Sequence, residues 1–267
     1  MALDEGAAGD AMSLRVEGVT KTFGGLTAVS GFSLDLGDRD LQGVIGPNGA
    51  GKTTVFNLIT GVYTPDAGRI RLGDRDLAGL PSDAIARAGV ARTFQNIRLF
   101  GQMTVLDNIA MALHPRAGYG FWDATFRTGR FRREEALRLE ESRAHLARFG
   151  LVDRQDELAG SLPYGEQRRL EIARALATGP KVLLLDEPAA GMNPREVEDL
   201  IGLIRRVHTD FPLAILLIEH QLPVVMELCR QVQVLDFGQT IATGAPREVV
   251  RDPRVIEAYL GEEETPA

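Results

Sequence analysis

Three apolar runs organise the chain. Leu41-Gln42-Gly43-Val44-Ile45, Val182-Leu183-Leu184-Leu185 and Leu213-Ala214-Ile215-Leu216-Leu217-Ile218 are nearly unbroken. Runs of that kind suit strands of a parallel sheet covered on both faces. Elsewhere the pattern alternates. Leu34 and Leu36 alternate with polar residues before Gly37-Asp38, and Arg69-Ile70-Arg71-Leu72 leads into Gly73-Asp74, a strand followed by a turn. From Gln95 to about Ala177 the spacing becomes helical. Leu170, Ala173, Leu176 and Ala177 share one face of a helix over Arg168–Ala177. Leu137, Leu139, Ala144, Leu146 and Phe149 mark another over Glu134–Phe149. Helices are also predicted over Thr54–Thr60, closed by Gly61, and over Pro223–Val232. After Val182 strands and helices alternate again. The class expected is α/β, with a helical subdomain of about residues 96–178 inserted into the core.

The turn after the first apolar run changes the picture most. Gly46-Pro47-Asn48-Gly49-Ala50-Gly51-Lys52-Thr53 fits the phosphate-loop pattern, with a strand before it and a helix after it. Its glycines allow the backbone to curl and point N–H groups inward. Lys52 can reach terminal phosphates, the Thr53 hydroxyl can bind Mg²⁺, and the helix beginning near Thr54 adds its positive dipole end.

Four further segments narrow what that loop serves. Asp186 and Glu187 end the second apolar run, at the strand end where an open α/β sheet places ligands. Asp186 can hold Mg²⁺ and Glu187 can polarise an attacking water. Leu162-Pro163-Tyr164-Gly165-Glu166-Gln167 precedes a helix whose N-terminus can meet an anion. Gln95 follows a short apolar run in Arg92-Thr93-Phe94-Gln95-Asn96, and His220 follows the third run. If the strands are parallel, His220 lies at the same end as Lys52 and Glu187.

In this order the segments resemble the ATP-binding subunit of ABC transporters, from about Leu14 to Leu260. The loop resembles the family's Walker A motif, and the resemblance implies ATP binding through Gly46, Pro47, Asn48, Gly49, Ala50, Gly51, Lys52, Thr53 and Thr54. Val182–Glu187 resembles Walker B with its catalytic glutamate. Tyr164, Gly165 and Glu166 lie in the signature-like segment, Gln95 matches the Q-loop, His220 the switch histidine, and Gly191-Met192-Asn193 the D-loop. Phe23 matches the aromatic that stacks on adenine. The resemblance implies Glu187, His220 and Gln95 as catalytic residues, and Thr53, Gln95 and Asp186 as ligands of Mg²⁺. The fold implied is a P-loop ATPase core with a mixed sheet, the inserted helical subdomain and an N-terminal antiparallel β subdomain, one domain over 14–267.

Phe94–Phe100, Tyr164–Arg174, Glu187–Pro194 and Gly238–Gly244 are more closely similar to the longer ATPase of bacterial branched-chain amino-acid importers. Importers of urea and short amides are similar too. The partners implied are a second related ATPase or a second copy of this chain, membrane permease subunits, and indirectly a secreted binding protein. The place implied is the cytoplasmic face of the inner membrane. Two positions depart from the family: Pro163 stands where a serine is usual, and Asn193 where an aspartate is usual.

Composition agrees. With 267 residues, 44% of them hydrophobic, the chain has ample core, and a net charge of −7 argues against a broad nucleic-acid face. Its single cysteine, Cys229, excludes an internal disulfide. No run of about 18 apolar residues occurs, and the acidic start does not read as a signal peptide. Residues 1–13 and 261–267 are expected to be flexible. Pro115–Arg133 holds Tyr119, Phe121, Trp122, Phe126 and Phe131 among arginines; two readings are open, a contact surface for a partner or the membrane face, and, favoured, a surface excursion whose aromatics tuck onto the helical part. Two other classes stay open: an ABC ATPase acting on nucleic acid or ribosomes, and a P-loop kinase or GTPase. Against them stand the lack of sustained heptads, the single phosphate loop, and the signature-like helix.

Overall fold

A computed structural model of the chain describes residues 13–114, 118 and 120–263. Expectations for the outermost residues of both termini, and for Pro115, Arg116 and Tyr119, lie outside the described residues. Two compact units emerge. One holds the described residues up to Gln95 and from Pro180 onward; the other is Asn96–Gly179.

The first unit carries two sheets. Strands β1 (Leu14–Phe23), β2 (Leu26–Leu36), β4 (Ala67–Leu72) and β5 (Arg75–Asp76) form an antiparallel sheet in the order β2-β1-β4-β5. The other sheet has the order β10-β9-β3-β8-β7-β6. Its members are β3 (Leu41–Ile45), β6 (Val90–Arg92), β7 (Val182–Asp186), β8 (Ala214–Ile218), β9 (Gln231–Asp236) and β10 (Gln239–Gly244). All neighbours in it are parallel except the antiparallel edge pair β9–β10.

The three apolar runs are β3, β7 and β8, and every residue of these strands is buried. Burial on both faces is what forbids alternation there. β1 and β2 alternate, because one face of an antiparallel sheet can look to water. Val29, Phe32, Leu34 and Leu36 of β2 join Leu14, Val16 and Val19 of β1 in the core cluster, together with β3, β7 and β8 residues.

Helix α1 (Lys52–Ile59) starts two residues earlier than the apolar spacing suggests, directly after Gly51. Helices α2 (Ser82–Ala88), α7 (Pro194–Asp210), α8 (Leu222–Leu228), α9 (Pro246–Val249) and α10 (Pro253–Glu263) complete this unit. In α7, Leu200, Leu203, Ile204 and Val207 are buried at helical spacing, and Asn193 with Glu196 forms a capping box ahead of Pro194. The helix expected over Pro223–Val232 is cut short. It ends at Leu228, and Val232 instead pairs with Gly43 inside β9. Spacing of four from Leu228 to Val232 imitates a helix, but the free edge of β3 captures those residues.

The second unit is helical: α3 (Val105–Leu113), α4 (Phe121–Phe126), α5 (Gly129–Arg148) and α6 (Tyr164–Ala177), with short 3-10 turns at Val152–Arg154 and Ala159–Ser161. Thr104 caps α3 and Thr128 caps α5 through their side chains. Asn108, wholly buried, ties the start of α3 to Phe100 by accepting from its N–H and donating to its carbonyl. In α5 the buried residues are Ser142 and Leu146, with Phe149 just beyond. Leu137 is 58% exposed and Ala144 is exposed, so the expected apolar face is rotated and narrower. Phe121, Trp122 and Phe126 do not tuck inward either; all three are exposed. Among the described residues no helix is long and apolar enough to cross a membrane.

Candidate active site

The loop between β3 and α1 takes its shape from backbone that side chains would spoil. Gly46 has φ 146°, and a Cβ there would lie 2.0 Å from the Leu235 carbonyl oxygen. Gly51 has φ 103°, and a Cβ there would lie 2.5 Å from the Ala28 carbonyl oxygen. Both positions need glycine for close approach as well as for φ. The loop wraps Lys52, which is 5% exposed. Its Nζ donates to the carbonyls of Gly46 and Pro47, both at 2.7 Å. α1 begins at this lysine without a side-chain cap, so its first turn keeps backbone donors toward the loop.

A cavity of about 380 Å³ opens over the loop. Asn48, Gly49, Ala50, Gly51, Lys52, Thr53 and Thr54 line it from the loop and α1, and Gln95 and Glu187 line it as well. The size suits a ligand pocket. A larger hollow of about 650 Å³ beside it shares Asn48, Gly49 and Ala50 but is lined by neither Lys52 nor Glu187. The smaller one holds the reactive groups.

Parallel strands bring the rest together. β7 pairs with β8 so that Asp186 faces Ile218 in register. Glu187 follows β7 with φ 44°, a left-handed conformation that is strained for a residue with a side chain, and its N–H donates to the Ile218 carbonyl at 2.9 Å. The Glu187 carboxylate accepts from Gln95 Nε2 at 2.8 Å, and His220 Nδ1 stands 3.5 Å from the same oxygen. The His220 side chain is half exposed and that of Glu187 is 13% exposed.

Asp186 is buried and accepts from the Arg92 guanidinium at 2.6 Å. Arg92 also donates to Asn57 Oδ1 at 2.7 Å, and its guanidinium lies over the rings of Phe56 and Phe94, 5.4 Å and 5.1 Å from their centres. Glu219, wholly buried, ties the turn after Glu187 to the turn after β8. It accepts from the N–H groups of Ala189, His220 and Gln221, while Gln221 Nε2 donates to the Ala189 carbonyl at 3.0 Å. Burial raises the Glu219 carboxyl above its ordinary range, against those N–H groups, which lower it. Burial likewise pushes the Cys229 thiol up to about 12, which leaves it an inert core group.

Not every expected residue joins this cluster. Phe23 ends β1, 41% exposed, with its ring edge-on to Tyr63 at 4.9 Å, and it is not among the residues lining the cavity. Gly46 and Pro47 shape the loop but do not line the cavity, and neither do Asp186 and His220, which adjoin the lining residue Glu187, one in sequence and the other at 3.5 Å. Tyr164, Gly165 and Glu166 open α6 in the other unit, behind Pro163 at the N-cap. There the buried Arg168 guanidinium pairs with Glu171 at 2.7 Å and donates to the Tyr164 hydroxyl at 3.2 Å.

Several lining residues escaped sequence reasoning. Leu26, Thr27 and Ala28 of β2 form one wall, and Phe237 another. Phe237 and Gly238 have φ 43° and 77°, a tight turn between β9 and β10. The Gly238 N–H donates to the Ala50 carbonyl at 3.0 Å, and the Gly238 carbonyl accepts from Ser30 N–H at 2.8 Å, which braces the loop from behind. Asp-x-Gly between two strand patterns was the available signal for that turn. Arg92 carried none.

Comparison with known proteins agrees with this geometry. The family described as ABC transporter matches residues 29–190, and one described as branched-chain amino acid ATP-binding cassette transporter matches residues 239–265. The chain is similar to LivG of Salmonella typhimurium, a high-affinity branched-chain amino acid transport ATP-binding protein. Identity is 47% over 93% of this chain and 98% of that one. BraF of Pseudomonas aeruginosa, described in the same terms, is 46% identical over the same shares. Among solved structures, the ADP conformation of an ATP-binding cassette of an ABC transporter superposes with a TM-score of 0.81. Its identity is 32%, over 94% of this chain and 99% of that one.

Proposed function

The chain belongs to the ABC transporter family of ATP-hydrolysing subunits, and from that premise we propose that it powers import of branched-chain amino acids through a separate membrane permease. The cavity over the phosphate loop, lined both by Lys52 and by a Glu187 that accepts from Gln95, is the observation that carries this reading.

Each residue has a role that its surroundings support. Backbone N–H groups from Asn48 to Thr54 cradle the phosphates, and Lys52 exchanges its loop carbonyls for phosphate oxygens. Glu187 takes the proton of the attacking water, held in place by Gln95 on one oxygen and by its turn after β7. His220, beside the same oxygen, supports the developing charge on the terminal phosphate.

Thr53 and Gln95 offer a hydroxyl and an amide oxygen, and Asp186 the carboxylate oxygen that Arg92 does not hold. That all-oxygen set suits Mg²⁺, which keeps phosphates and waters as its other ligands. Bound with ATP, Mg²⁺ would neutralise charge across the phosphates.

Tyr164, Gly165 and Glu166 serve a second chain's nucleotide rather than this chain's own, so that two ATPases, related or identical, sandwich ATP between them. The site of action is the cytoplasmic face of the membrane, beside permease subunits fed by a secreted binding protein. Phe23 stacks on adenine once nucleotide enters.

The test is reconstitution with candidate permease subunits and a binding protein in proteoliposomes. ATP-dependent uptake of labelled leucine into proteoliposomes is expected. Uptake of urea or short amides but not leucine would contradict the substrate while leaving the ATPase intact.

A further inference from the structure

Helix α4 carries no part of the nucleotide chemistry, yet it is built with care. Phe121, Trp122 and Phe126 are 75%, 69% and 70% exposed. The rings hold one another: Phe121 meets Trp122 edge-on at 5.4 Å, and Trp122 stacks on Phe126 at 5.9 Å. Asp123 fixes the helix by accepting from the Gly120 N–H and, at 2.8 Å, from the Thr128 hydroxyl. Arg127 closes it in a left-handed conformation, φ 45°. Rings left in water together on one short helix mark a surface that something covers.

Charge indicates what covers it. Arg127, Arg130, Arg132 and Arg133 follow at once, all exposed. The nearby carboxylates are engaged: Asp123 in the helix cap, Glu134 with Arg130, and Glu135 with Arg138. Arg127, Arg132 and Arg133 make no ion pair among the described residues.

We propose that α4 and the arginines after it form a membrane-contact tip, which seats its three rings among the headgroups of an anionic bilayer. Charge separates this from an ordinary mixed-sign protein interface. Three rings of ~150–250 Å² each, roughly seven-tenths exposed, offer about 300–500 Å² of apolar surface, and the charges left unpaired beside them, on Arg127, Arg132 and Arg133, are all positive. Tryptophan settles at headgroup depth, and arginines beside it meet lipid phosphates. Each such arginine strengthens partitioning onto an anionic surface about fivefold. The tip would add a lipid contact to whatever the permease provides.

Trp122 is the only tryptophan of the chain, so its emission reports on this tip alone. The full chain is titrated with phosphatidylcholine vesicles, with and without phosphatidylglycerol, and with brominated acyl chains. Anionic vesicles are expected to shift the emission to the blue, and brominated lipid to quench it. Phe121→Ser with Phe126→Ser should weaken partitioning roughly tenfold or more, and Arg132→Gln with Arg133→Gln about 25-fold. ATP turnover of these variants, unchanged, checks that they fold; the wild-type emission decides even if they do not. Emission that stays the same at saturating anionic lipid overturns the proposal. So does a shift that grows with protein concentration without lipid, which assigns the tip to a second copy. A shift seen only with permease in detergent overturns it too, in favour of a protein partner.

Discussion

Helices α1 and α6 start alike and are surrounded differently. Neither has a side-chain cap: the N-caps are Gly51 and Pro163. The helices α3, α5 and α7 are closed by Thr104, Thr128 and Asn193 instead. A start without a cap keeps backbone donors for an anion. At α1 the anion's whole chemistry is at hand, with Lys52, Thr53, Gln95 and Glu187 around one cavity. At α6 the nearby charges are already spent on each other, in the buried pair of Arg168 and Glu171. One end can hold a phosphate and act on it; the other offers donors only. That division is what the proposed two-chain site requires. Asn193 fits it as well, since its side chain is used to cap α7 as an aspartate would be.

Damage at the α1 end should be largest. Lys52→Ala removes a charge-assisted hydrogen bond of ~1.5–3 kcal/mol, so ATP should bind about 10- to 150-fold more weakly by calorimetry. An unchanged affinity would take Lys52 out of the phosphate site and erase the contrast with α6.

Next in size is the Glu219 brace. Its folded-state carboxyl lies above the ordinary value of 4.5. The stability it contributes is therefore complete below that value and lost as pH rises through the raised one. Glu219→Gln should remove this part of the pH dependence. It should also cost ~1–3 kcal/mol, because an amide NH₂ would face backbone N–H groups. Urea melts across a pH series check both; parallel curves for variant and wild type would show that Glu219 does not titrate in this way.

The smallest effect is at α6. Pro163→Ser adds a hydroxyl where the proposed second nucleotide would meet the helix, and a gain of up to ~1.4 kcal/mol would lower the ATP needed for half-maximal dimerisation up to tenfold. Nucleotide affinity of the single chain should not change. If dimerisation needs as much ATP or more, the turn that proline holds matters more than the missing hydroxyl.

What the sequence showed and what it hid follow from range. The phosphate loop was legible because its chemistry is local: glycine, lysine and threonine at set spacing between a strand and a helix. β7 and β8 were legible because burial on both faces leaves no polar position. α8 was overread because Leu228 to Val232 keeps helical spacing and only pairing with β3 reveals the strand. Arg92 was missed because its partner Asp186 lies 94 residues away. The outward turn of Phe121, Trp122 and Phe126 was misjudged because nothing in the order of residues says which side of a short helix meets the core.

The central claim is that Glu187 is the base acting on nucleotide held by the Lys52 loop. Glu187→Gln keeps the shape, and the bond from Gln95 can re-form to its amide oxygen. The decisive measurement is ATP turnover beside ATP affinity in this one variant. Turnover should fall ~10²–10⁴-fold with affinity retained and an ATP-bound dimer accumulating; turnover at the wild-type rate would contradict the claim.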